Sequence, residues 1–276
     1  MNNFWARTLT SVVFVAVMVS GLVLHPYAFG ALFLVIMVVS MQEFYAMSLQ
    51  GRYRLQQRLA FLTAALFLTL SLLYCNRDIS GMWIAVGLVP QLLIPVTAVF
   101  TQDHPNFGLL AYIYAALVYI ALPMCLSPYL VYLHGTFNGR LLLGLFIIIW
   151  ACDVGAYVIG TAFGQRPGAK RLAPKISPKK SWWGFWGGIV FGMAAAALLS
   201  CSGCFEFPLW HSVALGLLIS VSGVCGDLFS SMWKRWFGVK DSGHCIPGHG
   251  GMLDRFDSSL IAIPFAVIYL TVFRLL

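Results

Sequence analysis

Acidic residues number nine in 276, and five of them stand in or beside three apolar stretches of the second half: Asp153, Asp227, Asp241, Asp254 and Asp257. Asp227 follows twenty uncharged residues. If its helix continues, Asp227, Ser231 and Lys234 share one face at i, i+4 and i+7. Asp254 and Asp257 stand immediately before the last apolar stretch. Two antiparallel neighbours could therefore bring Asp227 and Asp254 together from opposite chain directions. Paired carboxylates facing phosphates are a usual way to hold Mg²⁺, with the substrate supplying further oxygens. The competing reading is a salt bridge from these acids to Lys234 or Arg255. Asp153 lies inside an apolar run, where an ionisable group is costly unless paired or set in a wet cavity. It is a further candidate cation ligand, against the alternative of a satisfied polar contact in helix packing.

Between the aspartates runs Lys240-Asp-Ser-Gly-His-Cys-Ile-Pro-Gly-His-Gly-Gly251. Its glycines let backbone N–H groups approach an anion closely, and Lys234, Arg235, Lys240 and Arg255 bracket it with positive charge. Such a segment beside two carboxylates suits a polyphosphate with its metal; Asp241, His249, Gly250 and Gly251 are candidate contacts. It is no Walker loop, since G-x-x-x-x-G-K-[ST] is absent. His244, Cys245 and His249 could instead ligate zinc, but their spacing matches no usual zinc pattern. A second polar stretch, 164–184, carries six cations and ends in Ser177-Pro-Lys-Lys180 followed by Trp182 and Trp183. Ser177, Lys179 and Lys180 could reach a lipid phosphate while the tryptophans anchor at headgroup level. The alternative is that these cations only set topology or bind anionic headgroups.

The elements that must position these groups are membrane helices. The chain is 60% hydrophobic and 9% charged, with a mean hydropathy of +0.86, whereas soluble domains carry about 25% charged residues. A cytosolic enzyme, a disordered chain and a secreted disulfide scaffold are excluded. The formal charge of +8, in so apolar a chain, points to membrane orientation and anionic ligands and not to nucleic acid. Uncharged stretches long enough to cross a bilayer predict an all-α, polytopic protein of about nine spans: two within 8–42 broken near His25-Pro26, then 59–76, 79–102, 104–139, 141–163, 181–205, 207–226 and 258–273. The first is expected to be retained as a helix and not cleaved as a signal peptide. With the N-terminus inside, fourteen of the seventeen Lys and Arg fall in cytoplasmic segments, as the positive-inside rule requires. Residues 1–140 read as a scaffold or dimerisation region and 141–276 as the catalytic region. Gly188 and Gly192 are spaced for close helix packing. Seven scattered cysteines form no disulfide framework; Cys201-Ser-Gly-Cys204 reads as bland and stays out of the site.

Ser231-Met-Trp-Lys-Arg235, Lys240-Asp-Ser-Gly243 and Pro247-Gly-His-Gly-Gly-Met-Leu-Asp-Arg-Phe-Asp257 together resemble the C-terminal signature of the phosphatidate cytidylyltransferase (CDP-diacylglycerol synthase) family. Gly226-Asp-Leu228, Ser177-Pro-Lys-Lys180 and Asp153-x-x-Ala-Tyr157 also resemble family blocks. The blocks span about 150–265; the first 140 residues match only as generic membrane helices. Ser230 and Trp183 depart from the family, which often has Glu, and Glu or Gln, there. The resemblance implies CTP plus phosphatidate giving CDP-diacylglycerol and pyrophosphate at a cell-membrane site facing the cytoplasm. It further implies Mg²⁺ on Asp227 and Asp254, a second, monovalent cation with Asp153 in support, and a homodimer. Lys234, Arg235, Lys240 and Arg255 would meet the CTP phosphates, and Ser177, Lys179 and Lys180 the phosphatidate. Two other classes stay open: a catalytically weak relative that binds lipid, and a membrane transporter.

Overall fold

The computed structural model describes residues 3–100, 107–133, 135–245 and 250–276. They group into two compact units, Met1–Asn138 with Asp241–Arg255, and Gly139–Lys240 with Phe256–Leu276.

The first unit contains α1 (Asn3–Val23), α2 (Pro26–Leu49) and α3 (Arg54–Cys75), then a 3-10 turn, Gly81–Gly87, leading into α4 (Leu88–Val99). α5 (Phe107–Ala116) continues through a π turn, Leu117–Ala121, into α6 (Leu122–Leu126), a further 3-10 turn and a short hairpin of β1 (Tyr132–Leu133) and β2 (Thr136–Phe137). The break between α1 and α2 has a local cause. Pro26 lacks the N–H a continuing helix would need but suits a first helical turn, and His25 Nδ1 accepts from the Tyr27 amide at 3.3 Å. The α2 side chains Phe29, Phe33, Met37, Phe44 and Tyr45 are buried, and the Tyr45 hydroxyl donates to the Ile113 carbonyl at 3.2 Å.

The second unit holds α7 (Arg140–Ala162), the antiparallel hairpin β3 (Arg171–Ala173) and β4 (Ser177–Ser181), then α8 (Trp182–Cys201), α9 (Leu209–Trp236) and most of α10 (Leu253–Val272). Small residues at 184, 188, 192 and 196 let α8 lie tightly between α7 and α9. A methyl group on Gly188 would meet the Cys152 carbonyl at 2.9 Å, one on Gly192 would fall on the Ser220 hydroxyl, and one on Gly216 would reach the Ala196 methyl at 2.6 Å. Close approach of this kind is how apolar helices associate where no hydrophobic drive separates them from lipid. At one end of this unit the Cys204 thiol donates to the Arg140 carbonyl at 3.6 Å and His211 Nδ1 lies 2.8 Å from the Tyr269 hydroxyl. Burial pushes the Cys204 thiol above its ordinary range. The cationic hairpin lies at the other end.

Among the described residues, eight helices are long and apolar enough to cross a membrane, and Thr10–Val23 adds a shorter apolar one. The chain is thus a multi-pass membrane protein. Of the nine spans expected from the sequence, the first is this shorter helix, and the fifth is a composite of α5, the π turn and α6. Replacing Gly192 by Val is expected to destabilise the protein by about 1–3 kcal/mol, the usual cost of overpacking. Leu198→Ala, at a side chain 70% exposed, is expected to change stability by under about 0.5 kcal/mol. Thermal unfolding of the detergent-solubilised variants measures both.

Candidate active site

In the second unit, β4 and α9 bring the chemistry together. Along β4 Lys179 is exposed and Lys180 half-buried, its ammonium hydrogen-bonding Asp227 Oδ2. Ser231, one turn along α9, donates to Asp227 Oδ1 at 3.3 Å. The stretch expected as a loop is therefore in part a hairpin. Its end is secured by Ser181, whose hydroxyl caps α8 by accepting from the Gly184 amide at 3.2 Å. A pocket of about 390 Å³ opens beside this pair, lined by Asp153, Tyr157, Ser177, Lys179, Lys180 and Asp227 among others. Candidates from three separate sequence blocks thus share one cavity. Both partners of the Lys180–Asp227 bridge keep about 30% of their side-chain surface exposed, so the pair is accessible to a ligand.

Lys234, which helical spacing puts on the same face as Asp227, pairs with an acid of α10. It is buried, with its ammonium 3.9 Å from Asp257 Oδ2, while Asp257 Oδ1 accepts from the Ser258 amide at 2.8 Å. This is the salt bridge kept open above. Arg235 is exposed and donates to the Ile176 carbonyl at 3.4 Å and the Val239 carbonyl at 3.1 Å, tying the β3–β4 turn to the end of α9. Lys240 is exposed. Ser230 is 2% exposed, and its hydroxyl has no hydrogen-bond partner among the described residues.

The first unit holds the other half of the candidates, in Asp241–Arg255. Asp254 Oδ2 accepts from the Ser242 amide at 2.9 Å and the Gly251 amide at 3.1 Å. Gly250 sits at φ +83°, where a side chain would be strained. Asp241 and Arg255 are exposed, and Gly251 is buried. His249 lies outside the described residues. One residue absent from the sequence candidates is central here. Glu43, near the end of α2, accepts from the Met252 amide at 2.8 Å, the Leu253 amide at 2.9 Å and the Ser242 hydroxyl at 2.8 Å. The available signal was an acid directly after thirty-five uncharged residues, 8–42; its partners, about two hundred positions away, left no local spacing to read.

The donor chemistry suits a hard divalent cation. Among the described residues there is no group of three or more His, Cys, Asp or Glu that could cage a metal. Mg²⁺ needs no such cage, since it is commonly held by one or two carboxylates together with water and substrate phosphates. At Asp227 an ammonium group already stands where a cation would.

The model of the cytidylyltransferase family matches residues 5–273, and the chain belongs to that family. Proteins named phosphatidate cytidylyltransferase are similar to it: 38% identical over 190 residues in Haemophilus influenzae, 34% over 189 in Bacillus subtilis and 40% over 141 in Staphylococcus saprophyticus. These matches cover 66%, 68% and 50% of this chain, and 64%, 68% and 53% of the relatives' own lengths.

Hydrogen bonds to a charged group contribute about 1.5–3 kcal/mol each. Asp254→Ala is therefore expected to speed hydrogen exchange at the Ser242 and Gly251 amides roughly ten- to a hundredfold. Asp254→Asn, which keeps an acceptor oxygen, should change it less; mass-spectrometric exchange on peptides covering 241–255 reads the difference.

Proposed function

We propose that this chain is a CTP:phosphatidate cytidylyltransferase. It transfers CMP from CTP to phosphatidate, giving CDP-diacylglycerol and pyrophosphate for phospholipid synthesis. The observation that carries the reading is the second-unit pocket, in which Asp227, bridged by Lys180, stands beside Asp153, Ser177 and Lys179. Membership of the family and the named relatives support it. The site faces the cytoplasm of the cell membrane, consistent with the cations of 166–180 and 234–240, and the protein works as a homodimer, a feature taken from the resemblance alone.

The phosphate of phosphatidate attacks the α-phosphorus of CTP; one P–O bond forms to the lipid phosphate, and the bond to the bridging β-oxygen breaks to release pyrophosphate. The nucleophile is already anionic, so no strong base is required. The obstacle is bringing one anion to a polyanion, and fixed positive charge supplies most of the remedy. Lys179 and Lys180 hold the lipid phosphate, with Ser177 donating to it. Arg235, Lys240 and Arg255 bind the CTP phosphates; buried Lys234 acts through its bridge to Asp257. Asp227 and Asp254 would hold Mg²⁺, which would neutralise phosphate charge. Asp153 would support a second, monovalent cation.

Purified protein with labelled CTP, phosphatidate and Mg²⁺ is expected to release pyrophosphate and CDP-diacylglycerol. Asp227→Asn should cut turnover at least ~100-fold in folded protein, the scale of losing one charge-stabilising group. Chelation should abolish turnover and added Mg²⁺ restore it. Substrate binding without turnover in the unaltered protein would instead indicate a silent lipid-binding relative, and flux into liposomes without CTP consumption a transporter.

A further inference from the structure

We infer that Glu43 is a positioning residue for the reaction, the internal anion on which Ser242, Met252 and Leu253 converge. The residue is 9% exposed, and both carboxylate oxygens are occupied. Oε1 accepts from the Met252 amide, and Oε2 accepts from the Leu253 amide and the Ser242 hydroxyl. Met252 and Leu253 stand at the start of α10, whose first amides lack partners within the helix and whose positive dipole end favours an anion. Glu43 thus caps α10 from a helix about two hundred residues earlier in the chain.

The motif glycines have a reason in this contact. A methyl group on Gly243 would lie 2.6 Å from Glu43 Oε1, and one on Gly251 would lie 2.5 Å from Oε2 and fall on the Ser242 hydroxyl. Ser242 supplies a donor, and Gly243 and Gly251 leave room for the carboxylate. Asp254 takes two further amides, of Ser242 and Gly251. These four amides therefore serve internal carboxylates. Glu43 touches no substrate; it acts by setting where Asp241, Asp254 and Arg255 stand. All three partners of Glu43 are donors, so glutamine is not a conservative replacement. In either orientation its NH₂ would confront a backbone N–H, of Met252 or of Leu253, that needs an acceptor.

The kinetic consequence rests on the proposed function; the structural one does not. The test uses full-length protein in lipid nanodiscs and the variants Glu43→Gln, Ser242→Ala and the double variant. Glu43→Gln is expected to speed exchange of the Met252 and Leu253 amides roughly ten- to a hundredfold, with α7–α9 unchanged. It should also raise KM for CTP at least ~10-fold while KM for phosphatidate stays within about twofold. Ser242→Ala should raise KM for CTP about three- to tenfold. The double variant should be no worse than Glu43→Gln, because the two groups act through one bond. Unaltered exchange at 252–253 and unaltered KM for CTP in folded Glu43→Gln overturn the inference, as does an equal rise in both KM values. Should Glu43→Gln fail to fold, Ser242→Ala decides by the same KM comparison. If the unaltered protein shows no cytidylyl transfer, the proposed function falls, and amide exchange alone settles the role of Glu43.

Discussion

A carboxylate buried in an apolar wall survives only when donors fill its oxygens, and backbone amides withdrawn from water survive only when they find acceptors. Glu43 and the segment 241–253 meet both demands at once. Two amides and a hydroxyl close on one carboxylate, and two more amides close on Asp254. Ser242 and Gly251–Leu253 are thereby fixed against two carboxylates. That anchoring depends on charge placed inside the protein, and so does the placing of the motif residues that flank it.

The second unit uses charge differently. Lys180 and Asp227 keep about 30% of their side chains open, and an exposed pair of this kind adds little to stability. The pair sets opposite charges side by side at the cavity wall. Lys234 and Asp257, which are nearly closed off from solvent, make the contrast. Breaking such a buried bridge strands a charge, so it suits architecture more than ligand exchange. One helix, α9, carries both kinds of pair within two turns, separated by which neighbour each side chain meets.

Rigid support makes that division workable. Glycines along α8 bring it hard against α7 and α9, and Ser181 both ends β4 and caps α8, so Lys180 is delivered from a short strand braced at its exit. Arg235 fastens the turn of the same hairpin to the end of α9.

The membrane class, the approximate spans and the family were legible in the residues alone. Apolar length is a property of contiguous sequence, and the motif from Ser231 to Asp257 is nearly continuous. The candidates Asp153, Ser177, Lys179, Lys180 and Asp227 could be named one by one for the same reason. Which partner each charge takes was not legible. Helical spacing put Lys234 on the face of Asp227 at i+7, yet the structure bridges it to Asp257, and Asp227 goes to a strand lysine forty-seven positions earlier. Glu43 escaped notice because its three partners stand 199 to 210 positions away. Local periodicity records which face a side chain occupies; only the packed chain determines which other face it meets, and a buried charge is satisfied by whatever donor that packing supplies.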